Sequence, residues 1–166
     1  SGLPLFLHSR ECGLDFAKIL DSFNCDTSSK LSGVVHSFNG SPEEMQHLLG
    51  LGYSLGINAS AFRSQDIAVQ IAKIPRDRLM IETDAPWCDA RKVDFGFPFI
   101  STHFPTVKRG TKQLATKCLE RRCEPCHIIH VLEMYHHMVP EEDPSVVADA
   151  LYRNAQRLFF SQKTLQ

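Results

Sequence analysis

At 166 residues, 43% hydrophobic and 22% charged, the chain has the balance of an ordinary globular sequence, long enough for one domain with a core of its own. Its 18 basic and 19 acidic residues leave a formal charge of −1, so a nucleic-acid partner would need a local basic patch. No apolar run approaches the ~20 residues that span a bilayer and no signal-peptide pattern is seen, while six cysteines without a disulfide-framework rhythm point to a reduced chain of the cytoplasm or nucleus.

Residues 3–8 are strand-like, and residues 14–23 set Phe16, Ala17, Ile19, Leu20 and Phe23 on the stripe of an amphipathic helix. Gly33-Val34-Val35-His36 reads as a second strand. Ser41-Pro42-Glu43-Glu44 opens a helix, with serine as N-cap, proline at the first helical position and a glutamate to close a capping box; glycine ends it at Gly52. Residues 53–58 read as a third strand, 65–74 as a third helix and 79–82 as a fourth strand. Four alternations of strand and helix argue for parallel βα units.

In the stretch RLMIETDAPW, residues 78–87, Leu79, Met80 and Ile81 read as a short buried strand that Ala85-Pro86 prevents from continuing. Its carboxylates therefore stand at a strand tip, as a structural ion pair or as a site. Residues 88–105, with Gly96, Pro98 and several aromatics in no clear period, read as a long loop. A helix is expected over 124–139, with Ile128, Val131, Leu132 and Tyr135 on one stripe. Another starts at Asp143-Pro144, with Val147, Leu151 and Leu158 facing inward. No internal repeat appears.

His8 ends the first strand, His36 ends the second and Asp84 follows the fourth. In parallel α/β architectures those ends share one face, where ligands bind. A lone strand-end histidine is more often a hydrogen-bonded structural residue, but three ligand-type residues at equivalent ends suit a divalent metal ion: Mg2+, Mn2+ or Zn2+. Glu82 points the same way as Asp84, behind the ligands or in an interior ion pair. Lys108, Arg109, Lys112, Lys117, Arg121 and Arg122 face only Glu120 in their segment, a patch that attracts polyanions or a solvated helix face. Trp87 offers a ring for a base to stack on. His47, His103, His130, His136 and His137 read as surface or packing residues.

Cys123-Glu124-Pro125-Cys126-His127 matches the C-x-x-C-H pattern of haem c attachment, but neither an export signal nor a placed distal methionine accompanies it. No second C-x-x-C completes a zinc knuckle. Cys126 then reads as a small buried hydrophobe on the helix and Cys123 as a neutral substitution.

The blocks PLFLHSR (4–10), GVVHSFNGSPEE (33–44), IPRDRLMIETDAPW (74–87) and EPCHIIHVLE (124–133) resemble the ordered blocks of the TatD family of metal-dependent deoxyribonucleases, most closely the eukaryotic members. The resemblance implies an α/β, TIM-barrel-type (β/α) architecture of the metal-dependent hydrolase superfamily. The chain would be its second half, strands five to eight, plus C-terminal helices: a single hydrolase domain over 1–166 that lacks its N-terminal half. It implies His8, His36 and Asp84 as metal ligands, with Asp84 also orienting or deprotonating the attacking water, and Arg10 and the Glu124 region beside the substrate phosphates. With Trp87, Arg121 and Arg122 these complete the expected substrate contacts, for a DNA substrate, single strands included. The family's His-x-His pair and bridging glutamate have no counterpart here, and Cys123 replaces its usual asparagine. A closed barrel takes about 250 residues, so a half barrel is expected to take its other half from another segment or chain, or from a second copy. The expected activity is exonuclease-like phosphodiester hydrolysis. A related amidohydrolase-type small-molecule hydrolase, or an inactive remnant that binds nucleic acid, are the alternatives.

Overall fold

A computed structural model describes residues 3–26, 32–112 and 116–160. Strands β1 (Leu5–His8), β2 (Gly33–His36), β3 (Ser54–Ile57) and β4 (Leu79–Ile81) form one sheet in sequential order, each neighbour parallel. Helices α1 (Gly13–Asp26), α2 (Pro42–Gly50) and α3 (Gln65–Ile71) connect them, and α4 (Ile128–Met138) and α5 (Pro144–Ala155) follow. Sequential parallel order with a helix in each crossover is the topology of a TIM-barrel-type α/β fold.

Strand alternation divides the sheet into two faces. Val35, Leu55, Ile57 and Leu79 are wholly buried against the helices, together with Phe62, Ile71, Met134 and Val147. Each large side chain buried there stabilises the fold by about 1.5–3 kcal/mol. The register pairs Phe6 with Val34 and His8 with His36, which places these residues on the other face. Gly33 has no room for a side chain, since a Cβ would stand 2.4 Å from the Leu5 carbonyl oxygen, so β1 and β2 approach only through glycine.

The capping box forms as the sequence implies: Glu44 N–H donates to Ser41 Oγ at 3.2 Å and Ser41 N–H to Glu44 Oε2 at 2.7 Å. Asp143 caps α5, accepting the Ser145 N–H at 2.8 Å. Asn154 Nδ2 fastens α5 to β4, donating to the Leu79 and Arg76 carbonyls at 2.8 and 2.6 Å.

Several expectations change. Of the α1 stripe, Leu20 is buried, whereas Ile19 and Phe23 are both 56% exposed, because α1 packs on α2 along one side only. Helix α3 stops at Ile71, not at residue 74, through turns that close Lys73 N–H on Gln70 and Ile74 N–H on Ile71. Pro75 is the reason, since it disfavours helical backbone in the residue before it. Residues 88–105 are packed rather than loose: they hold a 3-10 turn (Phe97–Phe99), a buried Asp94 paired with Arg91, and buried Ile100. Leu158 lies in a terminal π turn (Gln156–Phe160) and is only half-buried. The basic segment is not a helix face in its described part. It runs through two short paired strands, β5 (Thr106–Val107) and β6 (Cys118–Leu119).

Candidate metal centre and nucleic-acid cleft

The C-terminal strand ends converge on a polar network to which all four strands contribute. His8 Nδ1 stands 2.6 Å from His36 Nε2. The other nitrogen of His36, Nδ1, lies 3.5 Å from Glu82 Oε1, and that oxygen accepts the Ser37 N–H at 2.6 Å and its hydroxyl at 3.1 Å. Ser37 Oγ accepts Asn58 Nδ2 at 2.6 Å, and Asn58, wholly buried at the end of β3, caps the following turn through Ser60 N–H at 2.9 Å. Ser37 and Asp84 both adopt left-handed backbone, at φ +52° and +54°, where the chain leaves the sheet. Such residues persist only where their surroundings hold them, and they concentrate at functional sites.

Two imidazole nitrogens facing each other suit a cation. With metal–nitrogen bonds of about 2.0–2.1 Å, adjacent ligand nitrogens stand about 3 Å apart, a small opening from the observed pair. Glu82 behind His36 is the carboxylate that fixes which imidazole nitrogen carries the proton. Asp84 does not join them: among the described residues, no set of ligand atoms within 4.8 Å of one another contains His8, His36 and Asp84. The Asp84 carboxylate instead takes the Cys88 thiol at 3.2 Å, and burial, then that hydrogen bond, push the Cys88 pKa up to about 11.

The expected substrate residues separate. Trp87, 71% exposed, and Arg121 line an open cleft of about 900 Å³ together with Arg63, Arg91 and Lys92, so an aromatic face and several cations share one surface. Arg122 pairs with Glu124 at 3.7 Å. Arg10 is exposed just beyond β1, outside the residues lining that cleft.

The C-x-x-C-H pattern does not present its thiols together. Cys123 is buried and donates to the Thr83 carbonyl at 3.5 Å, while Cys126 is exposed in a 3-10 turn (Pro125–His127), its Sγ 3.7 Å from Cys118. Cys126 is thus not the buried hydrophobe expected. Sequence reasoning also missed Ser37, Asn58 and Asp89. Ser37 and Asn58 directly follow strand residues, a signal that was available, whereas Asp89 meets His127 only through folding, at 3.4 Å. Burial and the neighbouring His127 ring lower the pKa of His130.

The family profile described as TatD related DNase matches residues 1–160. The chain belongs to the TatD-related DNase family. It is 36% identical over 133 residues to Deoxyribonuclease Tat-D of Schizosaccharomyces pombe, covering 80% of this chain and 42% of the relative. It is 32% identical over 160 residues to the 3'-5' ssDNA/RNA exonuclease TatD of a Rahnella species, covering 95% and 51%. A TatD family hydrolase from Entamoeba histolytica superposes with a TM-score of 0.87 at 28% identity, over 96% of this chain and 52% of that one. The chain thus spans about half the length of the relatives it matches.

Proposed function

We propose that the protein carrying this chain hydrolyses DNA phosphodiester bonds with a divalent metal ion, in an exonuclease-like manner on single strands, as the name of the Rahnella relative suggests. The observation that carries the reading is the His8–His36 pair with Glu82 behind it. His8 and His36 hold the ion, and Glu82 takes the Nδ1–H of His36 so that Nε2 keeps its lone pair for binding. An ion bound there supplies Lewis acidity, lowering the pKa of a water and offsetting charge on the scissile phosphate. Asp84, on the same rim, orients the attacking water and takes its proton. Arg63 and Arg121 draw the strand into the cleft and Trp87 stacks on a base. Mg2+, Mn2+ and Zn2+ all suit this donor set.

Further strands, from another segment, another chain or a second copy, complete the barrel against the open face, where Phe6 is 61% exposed and stacks on His36 at 4.8 Å. Among the described residues no helix is long and apolar enough to cross a membrane. With thiols in reduced form, the cytoplasm or nucleus is the proposed setting.

That no set of close ligand atoms among the described residues joins Asp84 to His8 and His36 supports a second reading, in which the chain binds DNA without cutting it. One assay separates them. The protein is incubated with end-labelled single-stranded DNA and Mg2+ or Mn2+, with and without EDTA. Cleavage that EDTA and His36→Ala abolish is expected; binding without cleavage favours the second reading, and neither binding nor cleavage overturns both.

A further inference from the structure

A second group of metal-type donors lies in the segment that follows β4, away from the histidine pair. Cys118, Cys126 and His127 each place a ligand atom within 4.8 Å of the others, and Asp89, Cys123 and His127 do the same, so the two groups share one imidazole. The thiol sulfurs of Cys118 and Cys126 are 3.7 Å apart. That length is too long for a disulfide and leaves room for a shared ion. A disulfide needs about 2.05 Å between sulfurs, whereas two thiolates bound to one tetrahedral zinc at about 2.3 Å stand about 3.8 Å apart. The observed separation matches the edge of a zinc tetrahedron, and is also the length of a thiol–thiol hydrogen bond.

The imidazole is equally well placed. His127 is 7% exposed, stacks on His130 at 4.8 Å between centroids, and its Nδ1 lies 3.2 Å from the Glu124 N–H that it accepts and 3.4 Å from Asp89 Oδ1. A neutral ring has one nitrogen to give. Ligation through Nε2 puts the proton on Nδ1, which then donates to Asp89, the carboxylate partner usual behind zinc-bound histidine, in place of accepting the Glu124 N–H. Two thiols and an imidazole are a soft donor set that prefers zinc to the harder cations a phosphate site uses.

We propose that Cys118, Cys126 and His127 bind a zinc ion, with water in the fourth position and Asp89 orienting the imidazole. Each thiol releases its proton as the Zn–S bond forms, so binding weakens as pH falls. The position of the site gives it a consequence. Cys123, between the ligands in sequence, donates its N–H to the Pro86 carbonyl at 3.2 Å and its thiol to Thr83 at 3.5 Å, on either side of Asp84. Arg121, on the same segment, lines the cleft with Trp87 and Asp89. Zinc therefore braces the wall of the cleft and the turn that carries Asp84. The proposal is independent of the activity argued above, because the histidine pair offers a cation no sulfur.

The test uses the full chain, reduced, with Co2+ as the probe. One equivalent of Co2+ bound at this site gives the near-ultraviolet thiolate-to-cobalt absorption, which an ion between His8 and His36 cannot. Cys118→Ser and Cys126→Ser are each expected to abolish that absorption or weaken Co2+ affinity by more than about 100-fold, and Asp89→Asn by about 10–100-fold. Glu82→Gln and Cys88→Ala leave it unchanged. A measurement on the unaltered chain guards against misfolded variants: saturating Zn2+ should slow iodoacetamide alkylation of Cys118 and Cys126 at least ~10-fold. No thiolate absorption and no protection overturn the proposal, as does absorption that survives the double variant. A mass lower by two hydrogen atoms, with no zinc bound, identifies an oxidised disulfide instead and also overturns it.

Discussion

The rim of the sheet and the segment after β4 both gather histidine with other donors, yet they are built in different ways. At the rim, the donors are spaced by the fold itself. His8 and His36 are register partners on adjacent parallel strands, and Glu82 faces Gly56 across β3 and β4, where a Cβ on the glycine would lie 3.3 Å from its carboxylate. In the later segment, Asp89, Cys118, Cys126 and His127 come from loops, two-residue strands and a single 3-10 turn. The rim is thus held by the core beneath it, and the later segment by its own side-chain contacts and by α4. That difference predicts how each responds to substitution.

The largest effect belongs to the rim. His36→Ala is expected to reduce metal-dependent cleavage of single-stranded DNA by about 10³-fold, an effect of about 4 kcal/mol, while leaving the thiolate–cobalt absorption intact. Equal loss of both signals would show that the two regions are one site. Next, Leu55→Ala in the core beneath β3 should destabilise the fold by about 2–5 kcal/mol in urea denaturation, since Leu55 is wholly buried, and should melt rim and segment together. Glu82→Gln is milder. Loss of the carboxylate behind His36 is expected to weaken metal binding at the rim by about 10–100-fold in calorimetry, with the melting temperature little changed.

Smaller effects should leave the rim donors in place. Burial acts to raise the Glu133 pKa, but hydrogen bonds from the hydroxyls and N–H groups of Thr102 and Ser101 together outweigh it and hold the carboxyl below its usual range. The unfolded chain therefore binds the proton more tightly. The stabilisation is complete above the ordinary glutamate pKa of about 4 and is lost as pH falls through the lower folded value. Glu133→Ala should remove this acid-side loss and cost about 1–2 kcal/mol at neutral pH, seen as faster amide exchange in residues 95–105 while the rim amides stay protected. The smallest effect is at the cap of α5, where Asp143→Ala should cost about 1 kcal/mol in thermal unfolding.

Much of this was legible in residue order. The four strands, the capping box at Ser41 and the placing of His8, His36 and Asp84 at strand ends all follow from local pattern, because alternation and caps are properties of neighbouring residues. Where neighbours far along the chain decide, local pattern misled. Ile19 and Phe23 satisfy the helical stripe of α1 but stay more than half exposed, since α2 packs on only one side of it. Residues 88–105 lack any period, yet Glu133, on α4, accepts four groups from Ser101 and Thr102 and orders them.

The sequence by itself determined the parallel βα order, the family, and that His8 and His36 stand at adjacent strand ends, because strand period and register carry that information along a short stretch of chain. Only the tertiary structure decided that Glu82 is the carboxylate beside His36 while Asp84 takes the Cys88 thiol. Only it showed that Cys118 and Cys126, eight residues apart, come within 3.7 Å beside His127. The physical reason is the same in both cases: a spacing between side chains on different elements is set by packing and chain reversal, which no local pattern of residues encodes.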